Sequence, residues 1–251
     1  GGKGLFVKEI EDSLLKSESH LAVHSMKDVP FELPEGLELA ALLPRVTPLD
    51  AFISNKYKSL DELPENAVIG TSSLRRASQL KQRFPIQTEL LRGNVDTRLR
   101  KLDEDQYDAI ILASAGLIRL GWKDRITQYI PSETMIPSPG QGAIGIECRS
   151  DDEFTKSLLA KLDHADTSLA VSIERQFNKT IGGSCQVPAG CYVSFDGEDV
   201  KIVAFISNPE GQVFFNEELT TTKAELLNQG TEIAQKLLDR GGKKILTDLG
   251  L

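Results

Sequence analysis

The segment from Thr71 to Arg100 concentrates side chains that could bind an anion. It carries seven basic residues and two acidic ones, so its formal charge is 7 − 2 = +5, whereas the whole chain carries −8. Neighbouring arginines repel each other unless they are solvated or paired, and guanidinium groups fit carboxylate or phosphate oxygens well. A solvated helix face is the alternative explanation. The basic residues are Arg75, Arg76, Lys81, Arg83, Arg92, Arg98 and Arg100.

The elements around the first arginines favour an anion site. Residues 67–69 predict a strand and residues 73–83 predict a helix. Thr71, Ser72 and Ser73 therefore fall at the start of the helix, where backbone N–H groups lack intrahelical acceptors and attract negative charge. Because a second arginine group follows nearby, we favour anion binding over a solvated surface.

The composition limits what that anion is. The chain has 251 residues, of which 40% are hydrophobic and 26% charged, as expected of two or three globular domains. A sequence pI near 5.1 argues against an extended nucleic-acid interface. No apolar run reaches the roughly 18 residues of a membrane span. The three cysteines form no CxxC pair or disulfide framework, which favours a reducing cytoplasm. We expect a small polyanion bound in a cleft.

Alternating elements predict an α/β fold in the first two thirds of the chain. The alternation indicates a mostly parallel sheet flanked by helices. Two proline-bearing connectors, residues 44–48 and 131–139, suggest two crossings between the same two lobes, as in hinged binding folds. Helices are predicted over residues 5–16, 73–83, 95–102 and 114–120, and strands over residues 21–25, 37–43, 51–54, 67–69, 108–113 and 143–147.

The last third predicts a separate α+β domain with an antiparallel sheet. Its strands alternate with a period of two and are joined by turn sequences at residues 196–197 and 208–211. A helix over residues 153–162 is predicted before this domain. The helices of the domain itself are residues 168–180 and 223–239, the last one ending at Gly241 and Gly242, and its strands are residues 191–195, 200–207 and 212–217. The predicted domains are residues 1–43 with 143–163, residues 48–137, and residues 165–251.

Two sets of residues are assigned structural roles. Residues 140–145 (GQGAIG) match the dinucleotide pattern G-x-G-x-x-G, but that site needs a strand before it and a helix after it, and here a strand follows. We interpret these glycines as a hinge. His20, His24 and His164 lack the spacing of metal ligands, so no metal site is expected.

Asp28 and Cys185 are the loop residues best suited to chemistry. Asp28 follows a predicted strand, where open α/β sheets place their sites, although a solvated pair with Lys27 is the commoner outcome. Cys185 lies in the glycine-rich loop of residues 182–188 (GGSCQVP) and is a candidate nucleophile or attachment point. The other two cysteines fall within apolar strand patterns and are predicted to lie in the core.

Four motifs of this sequence resemble the porphobilinogen deaminase (hydroxymethylbilane synthase) family. They are residues 24–30 (HSMKDVP), 70–76 (GTSSLRR), 91–98 (LRGNVDTR) and 183–188 (GSCQVP), in the family's order. The resemblance implies a transferase of tetrapyrrole biosynthesis that joins four porphobilinogen molecules into hydroxymethylbilane and releases ammonia. It also implies two lobes like type II periplasmic binding proteins, and a dipyrromethane cofactor attached to Cys185 through a thioether.

The resemblance further assigns roles to individual residues. The cofactor would be held by Lys27, Asp28, Thr71, Ser73, Arg75 and Arg76. The incoming ring and the growing chain would be held by Lys3, Phe6, Ser25, Arg92, Asn94, Arg98 and Arg119. Each substrate ring carries an acetate and a propionate, and a hydrogen bond to a charged group contributes about 1.5–3 kcal/mol, which would explain the arginines.

Asp28 matches the family's catalytic carboxylate. Loss of ammonia from porphobilinogen leaves an electron-poor methylene-pyrrolenine, which the terminal pyrrole carbon attacks. Both stages place positive character on pyrrole nitrogens, and a carboxylate bonded to their N–H groups stabilises that charge where it develops.

Two other function classes stay open at this point. A non-catalytic small-anion binding protein would use the same lobes without Cys185, and a thiol-dependent enzyme would need a histidine motif that the sequence lacks. Family members begin about 55 residues earlier, so we expect the natural N-terminus to lie upstream. We expect a cytoplasmic monomer without nucleic-acid or membrane partners.

Replacing Cys185 with Ala should remove both the cofactor and the activity, because no other attachment point is predicted. The intact mass of the parent, purified without heat or acid, should exceed that of the chain by a two-pyrrole adduct, whereas Cys185→Ala should be unmodified. An adduct on Cys148 or Cys191 would overturn the assignment, and an unmodified parent would favour the anion-binding alternative.

Overall fold

Three sheets organise residues 3–183 and 187–250, which the computed structural model describes. None of the helices in these ranges is long and apolar enough to span a bilayer. The helices are α1 Lys3–Leu15, α2 Leu74–Arg83, α3 Val95–Asp103, α4 Ser114–Arg119, α5 Glu153–Leu159, α6 Ala165–Thr180, α7 Gln229–Leu237 and α8 Lys243–Asp248. The strands are β1 Leu21–Ser25, β2 Leu37–Leu42, β3 Asp50–Ile53, β4 Val68–Gly70, β5 Gln87–Glu89, β6 Ala109–Ala113, β7 Gln128–Ile130, β8 Ile144–Arg149, β9 Ala189–Asp196, β10 Asp199–Ser207 and β11 Phe214–Thr222.

The sheet of the first lobe has the order β1-β8-β2, and both of its strand pairs are antiparallel. Ser25 at the end of β1 pairs with Ile144, and Leu42 at the end of β2 pairs with Gly145. The central strand β8 therefore begins where its two neighbours end, because the chain returns from the second lobe at that edge. The prediction of a mostly parallel sheet is wrong here.

The sheet of the second lobe has the order β5-β4-β6-β3-β7 and is mixed. Strands β5, β4 and β6 are parallel, whereas β3 runs antiparallel to both β6 and β7. Strand β6 is buried on both faces, since Ile110 and Ile111 belong to separate hydrophobic clusters. Strands β5 and β7 were not predicted, because each has only three residues and β5 is entirely polar.

The two connectors meet at the carboxyl ends of the strands that carry the predicted site. Asp50, the first residue of β3, pairs with Ala113 and Ile130, the last residues of β6 and β7. The chain thus enters and leaves the second lobe at one edge of its sheet. In the structure the connectors are residues 43–49 and 131–143, and they run side by side, since Val46 N donates to Gly142 O at 3.3 Å. The predicted double crossing between two α/β lobes is confirmed.

The C-terminal domain pairs the antiparallel sheet β9-β10-β11 with α6 and α7. Alternate residues of β10 (Val200, Ile202, Ala204 and Ile206) are fully buried against Phe177 of α6, as a strand with one face on the core requires. This part of the predicted fold class is confirmed.

The predicted helix over residues 223–239 is wrong at its start, whereas its predicted end at Gly241 is confirmed. Lys223–Glu225 form a separate 3₁₀ turn, and α7 begins only after Asn228, which has a left-handed backbone with φ +68°. At the other end, Gly241 has φ +128° and breaks the helix as a C-cap glycine does. The chain then resumes helical structure as α8, which the sequence analysis missed.

A buried carboxylate on α6 ties both connectors to the C-terminal domain. Glu174 is fully buried and accepts two hydrogen bonds from Arg45 of the first connector, at 2.7 and 3.1 Å. It also accepts from the backbone N–H of Gly140 in the second connector, at 2.7 Å, and from that of Val193 in β9, at 3.0 Å. Arg45 Nε in turn donates to Gln141 O at 2.8 Å. The four hydrogen bonds satisfy the buried charge.

A second buried carboxylate, that of Asp50, fixes the second connector to the second lobe. Arg75 donates to it at 2.8 Å, Arg76 at 2.9 Å and the Gln141 amide at 3.0 Å. The same amide donates to Pro48 O at 2.6 Å. Burial by itself would raise the pKa of Asp50, but the two guanidinium groups and these hydrogen bonds hold that pKa below its ordinary value.

We expect Glu174→Gln to lower the free energy of unfolding by about 3–5 kcal/mol, because Arg45 would be left buried without its partner charge. Glu217→Gln is the matched control, since Glu217 pairs with Arg240 at the surface. In both pairs the guanidinium also lies over an aromatic ring. The control substitution should lower the free energy of unfolding by less than about 1 kcal/mol. Urea unfolding measures the free energy of unfolding of both variants. If the two variants lost the same amount of stability, the role assigned to Glu174 would be contradicted.

The stability difference between the parent and Asp50→Asn should depend on pH. Since the folded pKa of Asp50 is lowered, its contribution is present at neutral pH and is lost as the pH falls below about 4. The two free energies of unfolding should therefore converge in acid. Asp103→Asn, which removes a surface partner of Arg125, is the control and should show a pH-dependent difference under about 1 kcal/mol. A difference for Asp50→Asn that stays constant from pH 7 to pH 3 would refute the assignment.

Candidate functional site

Most of the predicted site residues lie where the connectors pass the ends of the strands. Ser25 ends β1, and Lys27 and Asp28 lie in the 3₁₀ turn Met26–Asp28 that follows it. In the second lobe the predicted residues follow the carboxyl ends of β4, β5 and β6, at the edge where open α/β sheets place ligands. These are Thr71, Ser73, Arg75, Arg76, Arg92, Asn94, Arg98 and Arg119.

Three predicted residues are described only in part or not at all. Cys185 lies outside the described residues, so its attachment role stays a prediction. Lys3 and Phe6 belong to α1, but their side chains lie outside the described part of the structure. Cys148 and Cys191 are fully buried, which confirms that they are core residues.

The turn that carries Asp28 is anchored at both ends. Met26 is buried, and its N–H donates to Ala143 O at 3.1 Å. Val29 is buried in the same hydrophobic cluster, together with Val171 of α6. Lys27 and Asp28 between these anchors are half-buried. The backbone that presents Asp28 is therefore held by packing on either side.

Residues 140–142 of the second connector join this turn to the second lobe. Gly140 has φ +70°, and a Cβ there would lie 2.8 Å from Met26 Cβ and 3.2 Å from Lys27 N, so only glycine fits. Gly142 O accepts a hydrogen bond from Arg119 at 2.8 Å. The strand β8 follows the glycines, so the strand predicted there, on which the sequence-based rejection of a dinucleotide site depends, is confirmed.

The N-terminus of α2 lies where the sequence predicted it, with Ser73 at the N-cap. The Ser73 side chain makes no capping hydrogen bond. Thr71 Oγ1 instead accepts from the Ser73 N–H at 3.2 Å, and the Ser72 hydroxyl donates to Leu91 O. The hydroxyl groups of Thr71 and Ser72 therefore shape the turn between β4 and α2.

Arg75 and Arg76 are 5% and 7% exposed, and both guanidinium groups hold Asp50. Arg75 also donates to Ile136 O at 2.6 Å, and Arg76 to Ile111 O at 3.1 Å. One carboxylate thus faces two guanidinium groups. Burial lowers the pKa of Arg75; Asp50 opposes this shift and the charge of Arg76 adds to it. One positive charge of this group remains without a counter-charge from Asp50, and the predicted cofactor contacts of the pair stay a prediction.

Arg98 and Arg119 make no ion pair with a carboxylate of the described residues. Arg98 is half-buried and donates to Gly93 O at 2.8 Å, while Arg119 donates to the connector. Burial, and then the charge of Arg76, lower the pKa of Arg98. Arg92 and Asn94 are exposed, and Asn94 caps α3 by accepting from the Thr97 N–H at 2.9 Å. Uncancelled positive charge therefore collects beside the second connector.

Two of the three histidines, His24 and His164, have the structural roles that were predicted. His24 is buried and lies 2.7 Å from a carboxylate oxygen of Glu147. His164 is the N-cap of α6, and its ring nitrogen accepts from the Thr167 N–H at 3.3 Å.

The sequence analysis missed the carboxylates that organise this region, Asp50 and Glu174. A signal for Glu174 was present, because it occupies the core side of an amphipathic helix between Ala170 and Phe177. Asp50 likewise precedes an apolar strand and is fully buried. Charged residues at such positions are rare unless they are paired.

Comparison with known families covers nearly the whole chain. The family model described as "Porphobilinogen deaminase, dipyromethane cofactor binding domain" matches residues 1–157, and "Porphobilinogen deaminase, C-terminal domain" matches residues 168–239.

Similar solved structures include a nutrient binding protein from Burkholderia cenocepacia bound to methionine, with TM-score 0.41 and 14% identity over 62% of this chain and 76% of that chain. The BvgS VFT2 domain of Bordetella pertussis has TM-score 0.39 and 15% identity over 66% of this chain and 72% of that chain. Since both scores are below 0.5, the fold rests on this chain's own sheets and connectors. On the two family matches, the chain belongs to the porphobilinogen deaminase family, a family of tetrapyrrole-biosynthesis transferases.

Proposed function

We propose that the chain is a hydroxymethylbilane synthase, which deaminates four porphobilinogen molecules and joins them head to tail. The observation that carries this proposal is the positive charge beside the second connector. Arg98 and Arg119 hold backbone carbonyls, and Arg76 shares the carboxylate of Asp50 with Arg75. A linear chain of rings with two carboxylates each needs such a surface.

The same charge fits a dipyrromethane cofactor, whose rings also carry carboxylates. The proposed holding residues are Lys27, Asp28, Thr71, Ser73, Arg75 and Arg76, with Cys185 as the attachment point. When bound, the cofactor supplies the pyrrole carbon to which the first substrate is joined. Arg75 and Arg76 can attract the cofactor carboxylates while their ion pairs with Asp50 stay intact. The single carboxylate of Asp50 balances only one of their two positive charges, and the other attracts a further anion.

The remaining arginines are suited to holding substrate carboxylates while the chain grows. Arg98 and Arg119 lie on α3 and α4, and Arg92 precedes α3 on the exposed surface. Lys3, Phe6, Ser25 and Asn94 complete the proposed substrate site. Each charge-assisted hydrogen bond contributes about 1.5–3 kcal/mol, so several contacts can retain the chain while its reacting end changes.

We assign the catalytic role to the Asp28 carboxylate. Release of ammonia and attack by the pyrrole carbon both place positive charge on pyrrole nitrogens, and a carboxylate accepting from their N–H groups stabilises it. The anchored turn supports this assignment because a carboxylate held in place needs no reorganisation when the charge develops. Lys27 lies beside it in the same turn and is suited to the substituent carboxylates.

Incubation with porphobilinogen tests the proposal directly. We expect one ammonia released per substrate consumed, and one hydroxymethylbilane for every four substrates. The alternative, a non-catalytic small-anion binding protein, would bind porphobilinogen without releasing ammonia.

Asp28→Asn should lower turnover by a factor on the order of 10²–10³ while leaving the fold and the cofactor mass intact. The amide keeps the size of the side chain but removes the negative charge that faces the pyrrole N–H groups. Steady-state bilane formation by the cofactor-bearing variant measures the effect. Asp124→Asn, which changes an exposed carboxylate in a 3₁₀ turn of the second lobe, is the control and should keep parental turnover. Turnover of Asp28→Asn within threefold of the parent would end the catalytic role.

A further inference from the structure

Arg175 of α6 holds the backbone directly after Asp28. Its guanidinium donates to Pro30 O at 2.8 Å, to Phe31 O at 2.9 Å and, more weakly, to Val29 O at 3.5 Å. These are three consecutive carbonyls, and the first belongs to the residue next to Asp28. A guanidinium is rigid and planar, so several bonds to one segment fix that segment's orientation.

The charge of Arg175 is not needed to neutralise a carboxylate. Burial lowers its pKa, and the more distant charge of Glu147 only partly opposes that shift. Within the described residues, Arg175 forms no ion pair. Removing the charged guanidinium of Arg175 from water costs desolvation energy, and hydrogen bonds to carbonyl oxygens do not neutralise its charge. An apolar residue at the same position would avoid this cost. The hydrogen bonds of Arg175 therefore indicate that residues 29–31 must be held in one conformation.

The same helix contacts the turn of Asp28 on its other sides. Val171, one helical turn before Arg175, packs with Met26 and Val29. Glu174 accepts from the N–H of Gly140, whose backbone lies against Met26. Helix α6 thus meets the turn through an apolar contact, a connector glycine and a guanidinium.

Helix α6 also leads into the loop of residues 182–188, where Cys185 stands. One rigid helix consequently joins the segment after Asp28 to the start of that loop. Small displacements matter here, because misplacing a reacting group by about 1 Å can cost roughly 10²-fold in rate.

We propose that Arg175 is a positioning residue for the reaction, which fixes the turn of Asp28 by holding the carbonyls of residues 29–31. This inference rests on the function proposed above for Asp28. It requires Arg175 to affect the rate of bond formation without touching the substrate.

Arg175→Gln should therefore retain the cofactor mass and a KM within about threefold of the parent, while kcat falls roughly 10- to 100-fold. Added guanidinium ion should restore part of the lost turnover. Arg175→Lys, which keeps the charge but not the planar fork, should also lose turnover, and it provides the same comparison if the Gln variant does not fold. A parental kcat in both variants would overturn the proposal.

Arg149→Gln is the matched control. Arg149 also donates to two backbone carbonyls, those of Leu14 and Ser19, each at 2.9 Å, but on a different part of the first lobe, and it differs from Arg175 in pairing with Asp152 at 2.9 Å. We expect parental kcat from this variant. If Arg149→Gln lost as much turnover as Arg175→Gln, the effect would be general destabilisation and the proposal would fail.

Hydrogen–deuterium exchange provides a readout that does not depend on activity. Amides of residues 26–33 should exchange faster in Arg175→Gln than in the parent, and at the parental rate in Arg149→Gln. Unchanged exchange in Arg175→Gln would overturn the ordering role. If the parent itself formed no bilane, the proposed function would fail, while the exchange comparison would still decide whether Arg175 orders the turn.

Discussion

The relative placement of the three sheets depends on the carboxylate of Glu174. Two connectors alone would leave the lobes free to turn about them, as in hinged binding folds. Here Glu174 holds Arg45 of one connector, Gly140 of the other and Val193 of the C-terminal sheet. All of its partners are buried or partly buried, so water competes poorly for these hydrogen bonds. The C-terminal domain is consequently part of the junction between the lobes.

The arginines of this junction divide into two groups by the partners they hold. A carboxylate cancels the charge of a guanidinium, so Arg45 and, in part, Arg75 and Arg76 serve the structure. A carbonyl is only a dipole and leaves the net charge uncancelled, which applies to Arg98, Arg119 and Arg175. A chain with a net charge of −8 can in this way present a locally positive surface to a polyanion.

Local patterns predicted most elements of the fold, because strands, turns and helix starts depend on neighbouring residues. The direction of β8 could not be predicted, since it depends on the edge at which the chain returns from the second lobe. The motifs located the turn of Asp28 and the start of α2. They did not reveal that Asp50 forms ion pairs with Arg75 and Arg76. The members of a buried ion pair come from elements far apart in the sequence, and residue spacing carries no signal of that contact.

The central position of β8 has a consequence for how the chain folds as it is synthesised. Strands β1 and β2 pair with β8 and not with each other, and β8 follows β2 by roughly a hundred residues. Until β8 leaves the ribosome, β1 and β2 lack the strand that pairs with both of them in the described residues, whereas the whole sheet of the second lobe is already available. We therefore expect the second lobe, which is inserted between β2 and β8, to fold first. Folding brings its two ends together and so places β8 next to β1 and β2.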